Sequence, residues 1–243
     1  MKENFFYDCI QVALGLNSAD LVIVNARLLN VFTGEILSDQ TISVKGRWIA
    51  SVGSFSSHDM IGEKTEIIDA SGSTVIPGLI DAHTHIFGQF FEPIDFLNHI
   101  IPSGITTLVT EIQEPAFISG KKGFFELIRI LRDQPLKFFF LAPPLLSISP
   151  NVTPLSINTA VELLQEEDVL GLGESYWQLV VNYPDMIESV MRETLRRKKT
   201  LEGHSAGARS HKLNAYCSTG ITSCHESISA AEVVERLRLG FKV

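Results

Sequence analysis

The stretch Gly78-Leu79-Ile80-Asp81-Ala82-His83-Thr84-His85 closes an apolar run with two histidines that stand two positions apart. Residues two apart on a β-strand point to the same side, so His83 and His85 are able to present both imidazoles to one metal ion. A His-x-His pattern on its own is more often a pair of ordinary surface or core histidines. Its weight therefore depends on the residues further along the chain.

Three further residues of metal-binding type end short apolar or glycine-bounded segments downstream, namely Glu174, His204 and His225. Each one precedes a loop and then a helical pattern, and the intervals between them each fit one βα unit. In a (β/α) barrel the chemistry gathers at the carboxyl ends of the strands. The sequence therefore predicts that four histidines and one carboxylate converge at a single rim.

The composition is that of a folded globular protein, with 45% hydrophobic and 20% charged residues in a chain of 243. A net charge of −8 argues against nucleic acid and anionic membranes as partners. The basic run Arg196–Lys199 is short and is predicted to close a helix. The most apolar run, Phe138–Leu146, is too short to span a bilayer and contains two prolines.

The three cysteines, Cys9, Cys217 and Cys224, are an odd number without the spacing of a metal site. This pattern predicts reduced thiols and a cytoplasmic location. The charged residues near the N-terminus leave no apolar core for a signal peptide, so no secretion is expected. Cys224 adjoins a candidate ligand, and we interpret it as a small buried strand residue.

Periodicity divides the chain into three parts. Residues 1–19 contain an amphipathic helix, for which the spacing of Phe6, Ile10, Ala13 and Leu14 predicts one apolar face. Residues 20–72 have the pattern of short strands separated by turns, which predicts a portion of a small β-sandwich. Residues 73–243 alternate strand and helix patterns, which predicts part of a (β/α) barrel.

The helices of the third part are marked by their apolar faces and caps. One predicted helix has Phe124, Leu127, Ile128 and Leu131 on a single face. Asp185 is predicted to cap a second helix, which carries Ile187, Val190, Met191 and Leu195. Ser229-x-x-Glu232 is a capping box that opens the last helix. About six βα units fit between Thr74 and Gly240, whereas a closed (β/α)8 barrel requires eight. The predicted fold class is thus α/β, an incomplete TIM-type barrel.

Several motifs together resemble the amidohydrolase superfamily and, within it, the bacterial adenine deaminases. The resemblance extends over nearly the whole chain. Its motifs are Asp20–Arg27, Val31–Ile36, Pro77–His85, Gly104–Thr107, Gly203-His204, Leu213–Tyr216, Gly220–Ser223, His225-Glu226 and Leu237–Gly240.

The resemblance implies a metal-dependent hydrolase barrel with a dinuclear centre of divalent transition metal ions, Mn, Fe or Zn. His83 and His85 would bind one ion, His204 and His225 the other, and Glu174 would bridge them. A metal-bridged hydroxide would convert adenine to hypoxanthine and ammonia, with Glu174, His225 and Glu226 as catalytic residues. Members of the family also lead us to expect a small-molecule substrate and a homo-oligomer.

Three departures from the family pattern leave alternatives open. Phe87-Gly88-Gln89 replaces the family's Glu-Ser-Ser, and Glu111-Ile112-Gln113-Glu114 replaces its Asp-Pro-His-Glu. The family's aspartate after the eighth strand would lie beyond Val243, so we expect an N-terminal portion that lacks this general base. The alternatives are a hydrolase of another cyclic amidine or amide, and a metal-binding remnant without turnover.

Overall fold

The computed structural model describes residues 5–86, 93–144 and 156–243, without the side chains of residues 5 and 115–118. The predicted substrate-side segment Phe87-Gly88-Gln89 lies outside these residues. The chain divides into two compact units, Met1–Pro77 and Gly78–Val243.

The first unit combines one helix with a five-stranded mixed sheet. Its elements are α1 (Phe5–Ala13), β1 (Leu21–Asn30), β2 (Glu35–Lys45), β3 (Trp48–Gly53), β4 (Glu66–Asp69) and β5 (Thr74–Val75). β2 runs antiparallel to β1 and β3, while β4 and β5 run parallel to β1. Because β5 pairs with β1, the first unit extends past residue 72, where the sequence pattern placed its end.

The apolar face predicted for α1 is wrong. Phe6, Ile10 and Leu14 are 69%, 53% and 65% exposed, whereas Val12 is fully buried beside Val22. The helix carries apolar side chains on adjacent stripes, and spacing alone does not reveal which stripe meets the sheet. The side of the helix that contains Val12 is the side that packs against the sheet.

The second unit is a half-barrel of five parallel strands with helices between them. Its elements are β6 (Leu79–Thr84), α2 (Pro93–Ile100), β7 (Ile105–Glu111), α3 (Gln113–Arg132), β8 (Lys137–Ala142), α4 (Ile157–Leu163), β9 (Val169–Tyr176), α5 (Trp177–Asn182), α6 (Glu188–Arg196), β10 (Thr200–His204), α7 (Ser210–Cys217) and α8 (Ala230–Arg238). The strand order is β10-β9-β8-β7-β6, so neighbours in sequence are neighbours in the sheet. Parallel pairing brings all their carboxyl ends to one rim.

The segment predicted as a sixth strand, residues 221–225, does not extend this sheet. It forms an isolated parallel bridge, in which Ser223 pairs with Lys242. Two backbone hydrogen bonds hold it, from Cys224 N to the Lys242 oxygen and from Lys242 N to the Thr222 oxygen. The contact is too short for a strand, yet it fixes the backbone immediately before His225.

The helices pack on the sheet largely as their periodicity predicts. Phe124, Ile128 and Leu131 are at most 1% exposed in the core, and α3 is interrupted at Gly120, where φ is +57°. The Asp185 cap is wrong, since α6 begins at Glu188 and Asp185 lies in a preceding 3₁₀ turn. Within the described parts of the chain, no helix combines the length and apolar character needed to cross a membrane.

Candidate metal centre

Four histidines surround one carboxylate oxygen at the strand rim. Glu174 Oε1 lies 3.4 Å from His83 Nε2, 3.2 Å from His85 Nε2, 3.6 Å from His204 Nδ1 and 3.0 Å from His225 Nε2. Glu174 itself is only 5% exposed. The structure thus brings together all five residues that the sequence proposed as ligands.

The strands explain this convergence. His83 belongs to β6 and His85 follows its last residue, and both Nε2 atoms face Glu174, as the spacing of two predicts. His204 ends β10, whereas Glu174 lies within β9, two residues before its end. The His225 ring stacks on the His83 ring with centroids 3.6 Å apart, which closes the group across the rim.

The centre holds a concentrated charge. Burial opposes ionisation of Glu174, but the contacts with the four histidines outweigh it and lower the pKa of this carboxyl well below its usual range. Glu114 and Glu174 together raise the pKa of His85 to about 10. Glu174 is therefore an anion that the surrounding imidazoles stabilise.

A second carboxyl group lies behind Glu174. Glu111 ends β7, is fully buried, and accepts a hydrogen bond from Glu174 N at 3.0 Å through Oε1. Burial, reinforced by the nearby Glu174 carboxylate, raises the pKa of Glu111 well above its usual value. Gly173 makes room for it, because a Cβ at that position would collide with the Glu111 carboxyl.

Two tyrosines that sequence reasoning missed also support the ligands. Tyr176 Oη donates to Glu174 Oε2 at 2.9 Å. Tyr216 Oη accepts from His204 N at 2.9 Å and donates to the Ser175 oxygen, bridging β9 and β10. Tyr176 follows Glu174 by two positions on a strand, so the rule that paired the first two histidines could have found it.

Two other acidic residues border the group. Glu114 Oε1 lies 3.2 Å from His85 Nδ1, and its second oxygen is buried without a hydrogen-bond partner among the described residues. Glu226, predicted as catalytic, has a 52% exposed side chain whose Oε1 lies 4.0 Å from His225 Nε2. Glu114 therefore contacts the candidate ligand His85 directly, whereas Glu226 lies at the edge of the group.

The donor set fits a divalent transition metal. Ligand atoms of His83, Glu174 and His225 all lie within 4.8 Å of one another. His204 Nδ1 is buried and has no hydrogen-bond partner in the described part of the chain, as expected of a nitrogen that serves as a metal ligand. Imidazole with carboxylate suits Zn, Fe or Mn, so the chain contains a possible metal-binding group.

Comparison with known proteins identifies the family. The pattern described as "Amidohydrolase family" matches residues 74–240, which is most of the chain. The chain belongs to the amidohydrolase family. This match includes all five residues of the candidate metal centre.

Curated relatives of this amidohydrolase include adenine deaminases. The chain is 35% identical over 254 residues to the adenine deaminase of Listeria monocytogenes, covering 100% of this chain and 42% of that protein. It is 36% identical over 240 residues to that of Archaeoglobus fulgidus, covering 96% of this chain and 41% of that protein. The chain thus spans less than half the length of the curated relatives it matches.

Solved structures share the fold of this amidohydrolase. The β-aspartyl dipeptidase of Fervidobacterium islandicum AW-1 matches with a TM-score of 0.65 and 17% identity, covering 93% of this chain and 64% of that one. The N-isopropylammelide isopropylaminohydrolase of Burkholderia multivorans matches with a TM-score of 0.57 and 16% identity, covering 92% and 67%. At these identities the likeness supports the fold alone.

Proposed function

We propose that this chain carries the metal centre of an aminohydrolase that converts adenine and water to hypoxanthine and ammonia. The observation behind this proposal is the group of four imidazoles around Glu174 Oε1. The relatives named adenine deaminase, at about 35% identity over the whole chain, favour adenine as the substrate.

The proposed centre holds two divalent ions, Mn, Fe or Zn. His83 and His85 would bind one, His204 and His225 the other, with Glu174 shared between them. Bound metal would supply Lewis-acid chemistry, lowering the pKa of water and polarising the ring that loses its amine. Glu174 and His225 are proposed as catalytic residues because they lie at the centre of this donor set.

The remaining residues act on the ligands. Glu114 orients His85 through Nδ1, which leaves Nε2 directed at the centre. Glu111 supports the Glu174 backbone by accepting its N–H through Oε1. Glu226 is exposed beside His225, and we assign it to carry protons between the site and solvent.

A related substrate remains the second candidate. Glu111 and Glu114 border the site where the family pattern has aspartate and glutamate, and Ile112-Gln113 separates them. Because this segment borders the site, the difference favours a substrate other than adenine as the second candidate, and turnover of other aminated rings should be measured beside that of adenine. A small-molecule substrate, a cytoplasmic location and a homo-oligomer complete the proposal.

The test is release of ammonia from adenine by the purified protein supplied with Mn²⁺, Fe²⁺ or Zn²⁺, together with measurement of bound metal. His83→Ala should lower both metal content and turnover. His211→Ala, which removes an exposed histidine on α7, is the matched control and should change neither.

Each outcome decides between the candidates. Ammonia from adenine supports the proposal, and ammonia only from other aminated rings moves the assignment to the related hydrolase. Metal binding without turnover of any ring favours either the remnant or an aminohydrolase portion that lacks its general base, and absence of bound metal removes the metal centre altogether.

A further inference from the structure

The two oxygens of Glu174 have different surroundings. Oε1 faces all four histidines at 3.0 to 3.6 Å. Oε2 instead accepts a hydrogen bond from Tyr176 Oη at 2.9 Å. The two oxygens therefore have separate roles: Oε1 faces the histidines, and Oε2 is held by the Tyr176 phenol.

Tyr176 is fixed in this position by its own environment. Its backbone pairs with His204 across β9 and β10, and its ring lies against the His204 ring with centroids 4.7 Å apart. The strand pairing and the ring contact together hold the Tyr176 hydroxyl beside Glu174 Oε2.

We propose that Tyr176 is a positioning residue that limits Glu174 to metal binding through Oε1 alone. This inference rests on the proposed metal centre and specifies how its shared carboxylate binds. A carboxylate binds metal through one oxygen or through both. The observed geometry favours the first mode, because all four imidazoles face Oε1 while the phenol holds Oε2.

The same tyrosine links two ligands. Its hydroxyl orients Glu174 and its ring limits the rotation of His204, so one side chain sets the direction of two donors. Tyr176→Phe separates these effects, since it removes the hydroxyl and keeps the ring. Loss of the hydroxyl should weaken Zn²⁺ binding by about 10- to 100-fold, the usual effect of removing a group that orients a ligand.

The experiment measures Zn²⁺ binding and the vibrations of the bound carboxylate. The full chain is prepared with isotope-labelled glutamate, and infrared difference spectra are recorded between the Zn²⁺-bound and the metal-free protein. A carboxylate bound through one oxygen shows a wider separation between its asymmetric and symmetric stretches than one bridging through two. Tyr183→Phe, at a 61% exposed tyrosine, is the matched control.

The wild-type protein and the Tyr183→Phe variant should show the wide separation. Tyr176→Phe should show a narrower one and weaker Zn²⁺ binding, with circular dichroism unchanged. A narrow separation in the wild type, or an unchanged spectrum in Tyr176→Phe, would overturn the positioning role and leave the metal centre standing. A wild-type protein that takes up no Zn²⁺ would overturn the metal centre and this inference together.

Discussion

Glu114 Oε1 lies 3.2 Å from His85 Nδ1, on the opposite side of the imidazole from Nε2, which faces Glu174. A carboxylate in this position fixes both the rotation of the ring and the nitrogen that carries the proton. His85 is thus held from two directions before any ion binds. Such contacts commonly decide how tightly a histidine site holds its metal.

Removing this contact should weaken the metal centre. We expect Glu114→Ala to lower metal affinity about 10- to 100-fold, because His85 is then free to rotate. Competition with a chelator measures the change. Glu126→Ala, which removes an exposed ion pair with Arg129 on the same helix, is the control and should leave the affinity unaltered.

The hydroxyl of Tyr216 should matter for stability as well as for the site. Tyr216→Phe leaves His204 N and the Ser175 oxygen without this buried partner, at a cost of about 1–3 kcal/mol for each unpaired group. Urea unfolding should show the lower free energy of unfolding. A variant as stable as the wild type would mean that His204 N and the Ser175 oxygen find other hydrogen-bond partners when the hydroxyl is removed.

The buried guanidinium of Arg236 should contribute to the stability of the fold. Its guanidinium is fully buried, and Nη2 donates to the Ser205 oxygen at 2.6 Å while Nε donates to Ser205 Oγ at 2.8 Å. Arg236→Met leaves the buried Ser205 oxygen without this donor, so the free energy of unfolding should fall by about 1–3 kcal/mol for each group left unpaired. Arg238→Met, at an exposed arginine on the same helix, should change it by less than about 0.5 kcal/mol.

Glu232 should make stability depend on acid pH. A hydrogen bond from Arg209, followed by one from Ile228 N, lowers the pKa of Glu232. A lowered pKa stabilises the folded state above the unfolded value of about 4.3, and this contribution is lost as pH falls through the folded-state pKa. Glu232→Gln should therefore destabilise at pH 7, and its melting temperature should approach that of the wild type near pH 3. A difference independent of pH would assign the effect to the helix cap instead.

The sequence was sufficient to predict the elements with strong periodicity and the five residues that lie together at the strand rim. The apolar face of α3 packs as its spacing predicts, and Ser229 Oγ accepts from Glu232 N as the capping box requires. His83 and His85 point to one side because strand geometry leaves no alternative. These features depend on neighbours along the chain, which a sequence records directly.

Features that depend on distant partners were not predictable in this way. Val12 rather than Ile10 is buried because of the sheet that α1 meets. Tyr216 reaches β9 and β10 from a helix beyond them. Such contacts are decided by tertiary packing, which overrides local preference.

Because Gly173 leaves the space that the Glu111 carboxyl occupies, positions 111 and 173 are expected to covary in evolution. A side chain at position 173 has no room while an acid occupies position 111, and a smaller residue at position 111 would leave a void that position 173 could then fill. A larger residue at 173, introduced alone, would displace the Glu111 carboxyl that supports Glu174. A smaller residue at 111, introduced alone, would leave a void in the core. Among related proteins, the two positions should therefore change as a pair, and a glutamate at 111 should be found together with glycine at 173.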